Sequence, residues 1–198
     1  AWTEAFDSGK FVRKSSEFRD SISKGGAFDV ESGRYHLYIS HACPWAHRTL
    51  IMRTLLGLED HISVDVVDWR MNADGSWSFN PDEEGATADT VNGESSLEGI
   101  YNRAFEGWNE SRSIGTVPVL WDKKHATIVN NESREIIRMF DQFSKEGFGN
   151  GTTLCPPELM QEIDNMIDAN YESVNNGVYK SGFARTQEAY DEAVTALF

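Results

Sequence analysis

YHLYISHACPWAHRTLIMRTLLGLEDHISVDVV, residues 35–67, holds the pattern from which the rest of the chain is read. Its first six residues, Tyr35 to Ser40, are aromatic and β-branched types that suit a pleated strand. Pro44 then falls where the first turn of a helix would lie: its missing N–H costs nothing there and its φ already fits. The pairs Ala46/Leu50, Ile51/Leu55 and Met52/Leu56 stand one turn apart on different faces. They predict a helix buried on most sides until Gly57 ends it. HISVDVV, residues 61–67, reads as a second strand, and the strand–helix–strand spacing suits a parallel pair.

Further along, TVPVLWD (residues 116–122) and HATIV (125–129) predict two strands around a turn at DKK. In NNESREIIRMFDQF (130–143), Asn131 is placed to cap a helix whose apolar face is Ile136, Ile137, Phe140 and Phe143. Between the two halves, residues 71–102 contain no Lys or Arg while Asp and Glu accumulate, which reads as a solvated surface insertion. Within it SLEGIYNRAFEGW (96–108) predicts a short helix. The order β, α, β, insertion, β, β, α is the thioredoxin arrangement, an α/β class. Two helical patterns follow. Met160, Ile163, Ile167, Tyr171 and Val174 step at three and four residues, and ARTQEAYDEAVTALF (184–198) stops in mid-pattern without cap or glycine. The expectation is a fragment with an incomplete helical second domain. The expected divisions are residues 1–34 as an N-terminal extension, 35–145 as the thioredoxin-like domain with its acidic insertion at about 71–112, and 156–198 as the start of an all-helical domain.

With 39% hydrophobic and 25% charged residues the 198-residue chain has an ordinary globular composition and room for a sizeable core. Eighteen Lys and Arg stand against 32 Asp and Glu, a formal charge of −14. Such a surface repels phosphate backbones and anionic lipid, which argues against nucleic-acid and membrane partners. Adaptation to a salty cytoplasm is a second reading of the same acidity. No run approaches the length of a membrane span and the start AWTEAFDSGK lacks a secretory pattern, so a cytoplasmic location is expected. Cys43 and Cys155 are the only cysteines, too few for a metal box or a disulfide framework, and sparse usage suits a reducing compartment.

A thiol is a poor nucleophile until it ionises, and a helix N-terminus favours the anion through its free N–H groups. Cys43, just ahead of Pro44, is in that position, with His41, His47 and Arg48 near in sequence as sources of positive potential. Three residues on, where a dithiol exchanger keeps its second cysteine, this chain has Ala46, so Cys43 depends on a thiol from solution. That favours glutathione-type chemistry. A buried inert cysteine and a non-catalytic scaffold are the competing readings, and a metal site from His41, Cys43 and His47 lacks a further ligand cluster.

The segments YHLYISHACPWAHRTLIMRTLLGLE, TVPVLWDKK, IVNNESREIIRMF and VNNGVYKSGFA closely resemble the glutathionyl-hydroquinone reductases, the Xi class of glutathione transferases. The resemblance runs from about Gly9 to the end. It implies a thioredoxin-like domain followed by an all-helical one, no bound cofactor, glutathione as cosubstrate, glutathionylated quinols as substrates and a homodimer as the common assembly. Cys43 corresponds to the catalytic cysteine. Pro118 corresponds to a cis-proline whose neighbour Val117 offers its backbone to the peptide of glutathione. Glu132 and Ser133 correspond to the pair holding the γ-glutamyl end, the carboxylate for the ammonium and the hydroxyl for the carboxylate. Trp77 corresponds to a tryptophan over glutathione and Tyr179 to a tyrosine of the hydroquinone pocket. Relatives carry an arginine just before TVPVLWD, where this chain has Ile114 and Gly115. Either Arg112 takes its place through a shifted loop or the contact is missing, which leaves open the use of a smaller thiol such as γ-glutamylcysteine.

Overall fold

A computed structural model describes residues 6–108 and 115–198, apart from the Phe6 side chain. The chain divides into two units, Ser16–Leu154 and a second one made of Ala1–Ser15 with Cys155–Phe198.

The second unit opens with the short hairpin of β1 (Phe6–Asp7) and β2 (Lys10–Phe11), turned through Ser8 and Gly9, both at positive φ. The larger unit then begins its sheet with β3 (Tyr35–Ser40), followed by α1 (Pro44–Leu55), β4 (Ile62–Val67), α2 (Leu97–Ala104), β5 (Val119–Asp122), β6 (Thr127–Asn130) and α3 (Ser133–Lys145). The sheet order is β4-β3-β5-β6, with β3 parallel to β4 and the other two pairings antiparallel. This is the thioredoxin-like arrangement. β3 is central and buried along its whole length, which is why it reads as a continuous apolar run rather than an alternating one.

Tyr35, Trp121, Phe140 and Phe143 are fully buried, and each side chain of this kind stabilises the fold by about 1.5–3 kcal/mol relative to exposure. Tyr35 meets Phe143 edge to face at 5.8 Å. At the same end of the sheet the buried guanidinium of Arg34 donates to both oxygens of Asp122, Nε to Oδ1 at 2.8 Å and Nη2 to Oδ2 at 2.6 Å.

Three expectations need correction. α1 is buried on one side only: Ala46 and Thr49 are inside, while Ile51 and Leu55 stay 46% and 54% exposed, because the helix packs only where it meets the sheet and α3. Asn131 does not cap α3. The cap is Glu132, whose carboxylate accepts from Arg134 N, while the buried Asn131 amide is spent on tertiary contacts described below.

The acidic insertion, lastly, is not simply a solvated loop. Asp89 is 7% exposed and accepts from Tyr38 Oη at 2.9 Å and from the N–H groups of Val91, Asn92 and Glu94. Asp65, on β4, accepts from both the N–H and the hydroxyl of Thr90. Carboxylates dispersed along the sequence thus turn inward to tie the insertion to the sheet.

The remaining helices of the second unit are α4 (Met160–Asn170), which continues through a wider turn at Tyr171–Asn175, then α5 (Gly177–Gly182) and α6 (Gln187–Leu197). Thr186 caps α6 by accepting from Ala189 N. Phe11 packs against Tyr179 and Phe183, and Arg13 lies over the Tyr179 ring at 4.5 Å. No helix among the described residues is long and apolar enough to cross a membrane.

Candidate active site

Cys43 is the N-cap residue of α1, with extended backbone (φ −101°, ψ 112°) and Pro44 immediately inside the helix. Its side chain is partly buried and makes no capping hydrogen bond; instead Sγ donates to Val117 O at 3.5 Å. The Val117–Pro118 peptide is cis. A thiolate has no proton to give to that carbonyl, and the donors next to it are then the first-turn amides of α1. Ala46, where a second thiol would sit, is fully buried in the core. Cys43 and Cys155 are not joined to each other in a disulfide.

The second part of the site is the start of α3. Ser133 is 2% exposed and the Glu132 carboxylate is partly open. One Glu132 oxygen accepts from Arg134 N at 3.1 Å and the other from Ser16 Oγ at 3.2 Å, so the carboxylate is oriented before any ligand arrives. Arg48 joins this end to α1. Its Nε and Nη2 both donate to Ser133 Oγ, at 2.9 and 2.6 Å, Nη2 lies 3.6 Å from Glu132, and the guanidinium stands over the Trp45 ring at 4.9 Å. Trp45 thereby supports Arg48. His41 and His47 are exposed.

Tyr101 is the member that sequence reasoning missed. Fully buried on α2, its hydroxyl donates to Thr116 O at 2.8 Å and accepts from Asn131 Nδ2 at 3.0 Å. It joins the residue before Val117 to the residue before Glu132. Burial pushes its phenol up from the usual range. In the sequence Tyr101 is one apolar position of a short helix, and nothing in its spacing marks two distant loops as its partners.

Trp77 lies in an extended stretch pinned to the start of α2: Trp77 O accepts from Leu97 N at 2.9 Å, and Phe79 N donates to Ser95 O at 3.0 Å. Its ring packs against the core, partly buried. The Glu98 carboxyl, raised by burial although it accepts from the Trp77 N–H, adds to that anchorage. Cys43, Val117, Pro118, Glu132, Ser133 and Trp77 all belong to the Ser16–Leu154 unit; Tyr179 belongs to the other. Ile114 and Arg112 lie outside the described residues.

Residues 42–142, from the turn before the thiol to the last turn of α3, match the family model for the glutathione S-transferase N-terminal domain, and the chain belongs to the glutathione S-transferase family. Its similarity within that family is to the Xi class. It is 48% identical to the glutathionyl-hydroquinone reductase YqjG of Escherichia coli over 96% of this chain and 59% of that protein. The crystal structure of the glutathione-S-transferase Xi from Phanerochaete chrysosporium superposes with a TM-score of 0.88 at 47% identity, covering 95% of this chain and 63% of that one. The glutathione-bound structure of YqjG superposes with a TM-score of 0.83 at 47% identity, over 92% and 60%. The chain thus spans about three fifths of the length of these relatives.

Proposed function

We propose that this protein reduces glutathionyl-hydroquinones with glutathione. Cys43, as thiolate, attacks the glutathione sulfur of the adduct. The bond from that sulfur to the ring carbon breaks with its electron pair passing to the carbon, which takes up a proton, so that the hydroquinone leaves and Cys43 carries glutathione as a mixed disulfide. A second glutathione attacks the glutathione sulfur of that disulfide, giving glutathione disulfide and the Cys43 thiolate. Val117 presents its backbone to the peptide, Pro118 shapes the turn, Glu132 takes the γ-glutamyl ammonium, Ser133 the α-carboxylate, Trp77 covers the aliphatic part, and Tyr179 contributes a hydroxyl to the quinol.

The observation that carries this reading is the placing of a thiol at a helix start against the carbonyl before Pro118, with alanine rather than a second thiol three residues on. Its similarity to a named glutathionyl-hydroquinone reductase and to a glutathione-bound structure supports the same substrates. The reaction belongs in a reducing compartment, the cytoplasm, where glutathione is at hand. A homodimer is the assembly expected with it.

The test uses the full-length protein, a glutathionylated hydroquinone and glutathione. Hydroquinone and glutathione disulfide should appear one for one, and withholding the second thiol should leave one glutathione on Cys43 by mass spectrometry. Release that proceeds unchanged in Cys43→Ser, or no adduct and no turnover in the wild type, overturns the reading in favour of a scaffold. Parallel runs with γ-glutamylcysteine measure the choice of thiol.

A further inference from the structure

The contact between Arg48 and Ser133 does more than join two helices. A serine hydroxyl has one proton and two lone pairs, whereas a guanidinium only donates. Here Nε and Nη2 of Arg48 both point at the same oxygen, Ser133 Oγ, at 2.9 and 2.6 Å. The two lone pairs are thereby engaged. The hydroxyl proton is what remains, and the only thing Ser133 has left to offer is a donor. Ser133 is 2% exposed and opens α3, where the amides of Glu132, Arg134 and Glu135 already donate to Asn130 Oδ1, Glu132 Oε1 and Glu132 O, so the hydroxyl is the side-chain donor this helix start has left to present. A carboxylate, which only accepts, fits such a place; an ammonium, which only donates, does not.

Resting on the functional reading above, we propose that Arg48 is a positioning residue for glutathione: it fixes Ser133 as a donor-only hydroxyl, so that the γ-glutamyl end is bound carboxylate-first, with its ammonium turned to Glu132. Glu132 completes the polarity. Its carboxylate is already aimed by Arg134 N and Ser16 Oγ, and it stands 3.6 Å from the same guanidinium. The placement of Arg48 carries a second consequence. Cys43 caps α1 and Arg48 lies on it, so the reacting sulfur and the carboxylate site at Ser133 are joined through the packing of α1 on α3. Trp45, under the guanidinium at 4.9 Å, holds it in place from α1 too.

The experiment is a double-mutant cycle in the full-length protein with Arg48→Met, Ser133→Ala and both. KM is measured for glutathione and for its analogue carrying a carboxamide in place of the γ-glutamyl α-carboxylate. Losing one charge-assisted hydrogen bond predicts a KM for glutathione raised about tenfold in either single variant. Because Arg48 acts through Ser133, the double variant should rise no further than about twofold beyond the singles. The preference for glutathione over the carboxamide should fall in Arg48→Met with kcat largely kept. A merely structural role raises both KM values together and leaves the preference intact, and that result overturns the proposal, as do single effects that multiply in the double variant. If Arg48→Met fails to fold, Arg48→Lys carries the same cycle and comparison, with the same coupling expected. A wild type that turns over no glutathione refutes the functional reading instead, so the two failures are distinct.

Discussion

The hydroxyl of Tyr101 and the amide of Asn131 meet at 3.0 Å inside the protein, and the same hydroxyl donates to Thr116 O at 2.8 Å. One phenol therefore sets the distance between the turn that ends at Pro118 and the helix start at Ser133. Tyr101→Phe removes only the oxygen, leaving the Thr116 carbonyl and the buried Asn131 amide without that partner. The expected cost is about 1–3 kcal/mol of stability, read by urea unfolding. A raised KM for glutathione should accompany it, since both binding segments lose their common anchor.

Cys43→Ser should keep the fold, because the side chain is only partly buried and a hydroxyl of similar shape replaces the thiol. Turnover of a glutathionylated hydroquinone should fall by at least about a thousandfold, as is usual for the loss of a nucleophile. Thermal unfolding close to wild type alongside lost activity would separate chemistry from folding.

Asp89→Ala withdraws the acceptor shared by Tyr38 and three backbone N–H groups. We expect a loss of about 1–3 kcal/mol and faster cleavage of the insertion in limited proteolysis. Cleavage at the wild-type rate would mean that the insertion is held by other contacts.

Acid should weaken the fold through Asp122 and Asp65. Burial alone would raise each carboxyl, but Arg34 at Asp122, and His36 with Thr90 at Asp65, outweigh it and hold both below the ordinary 3.8. Between the two values the unfolded chain binds more protons, so stability rises with pH there. It is fully present above the ordinary value and lost as pH falls through the lowered one. Urea midpoints from pH 7 to pH 3 should follow this course. Asp122→Asn leaves the buried Arg34 with the half-exposed Glu31 carboxylate, 3.6 Å away, as its remaining counter-charge; it should cost up to about 3–5 kcal/mol at pH 7 and flatten the acid limb.

The strand–helix–strand unit was legible because its determinants are local: an apolar run for β3, a proline at the first turn of α1, β-branched residues for β4. The placing of Cys43 at a helix start was legible for the same reason, since Cys43, Pro44 and Ala46 are neighbours in sequence. What escaped was the use of polar residues at a distance. Asn131 precedes a helix, as a capping residue does, but its amide serves Phe18 N and Tyr101 Oη across the fold. Asp89 looks like one more surface charge until Tyr38 is seen beneath it. Arg48 was read as diffuse positive potential, whereas its two-donor grip on Ser133 depends on how α1 and α3 pack. Ile51 and Leu55 show the opposite error: helical spacing says that apolar residues share a face, not that anything covers it.

The buried alanine at position 46 bears on how the protein lives with oxidants. An enzyme with a resolving sulfur can shelter its own disulfide and impose a potential on its surroundings. On the proposed cycle the sulfur at this helix start waits, once oxidised, for a thiol from solution, so its state follows that of the ambient thiol pool. Starved of reductant, the protein would stall loaded with its last cargo, a follower of cellular redox balance rather than one of its regulators.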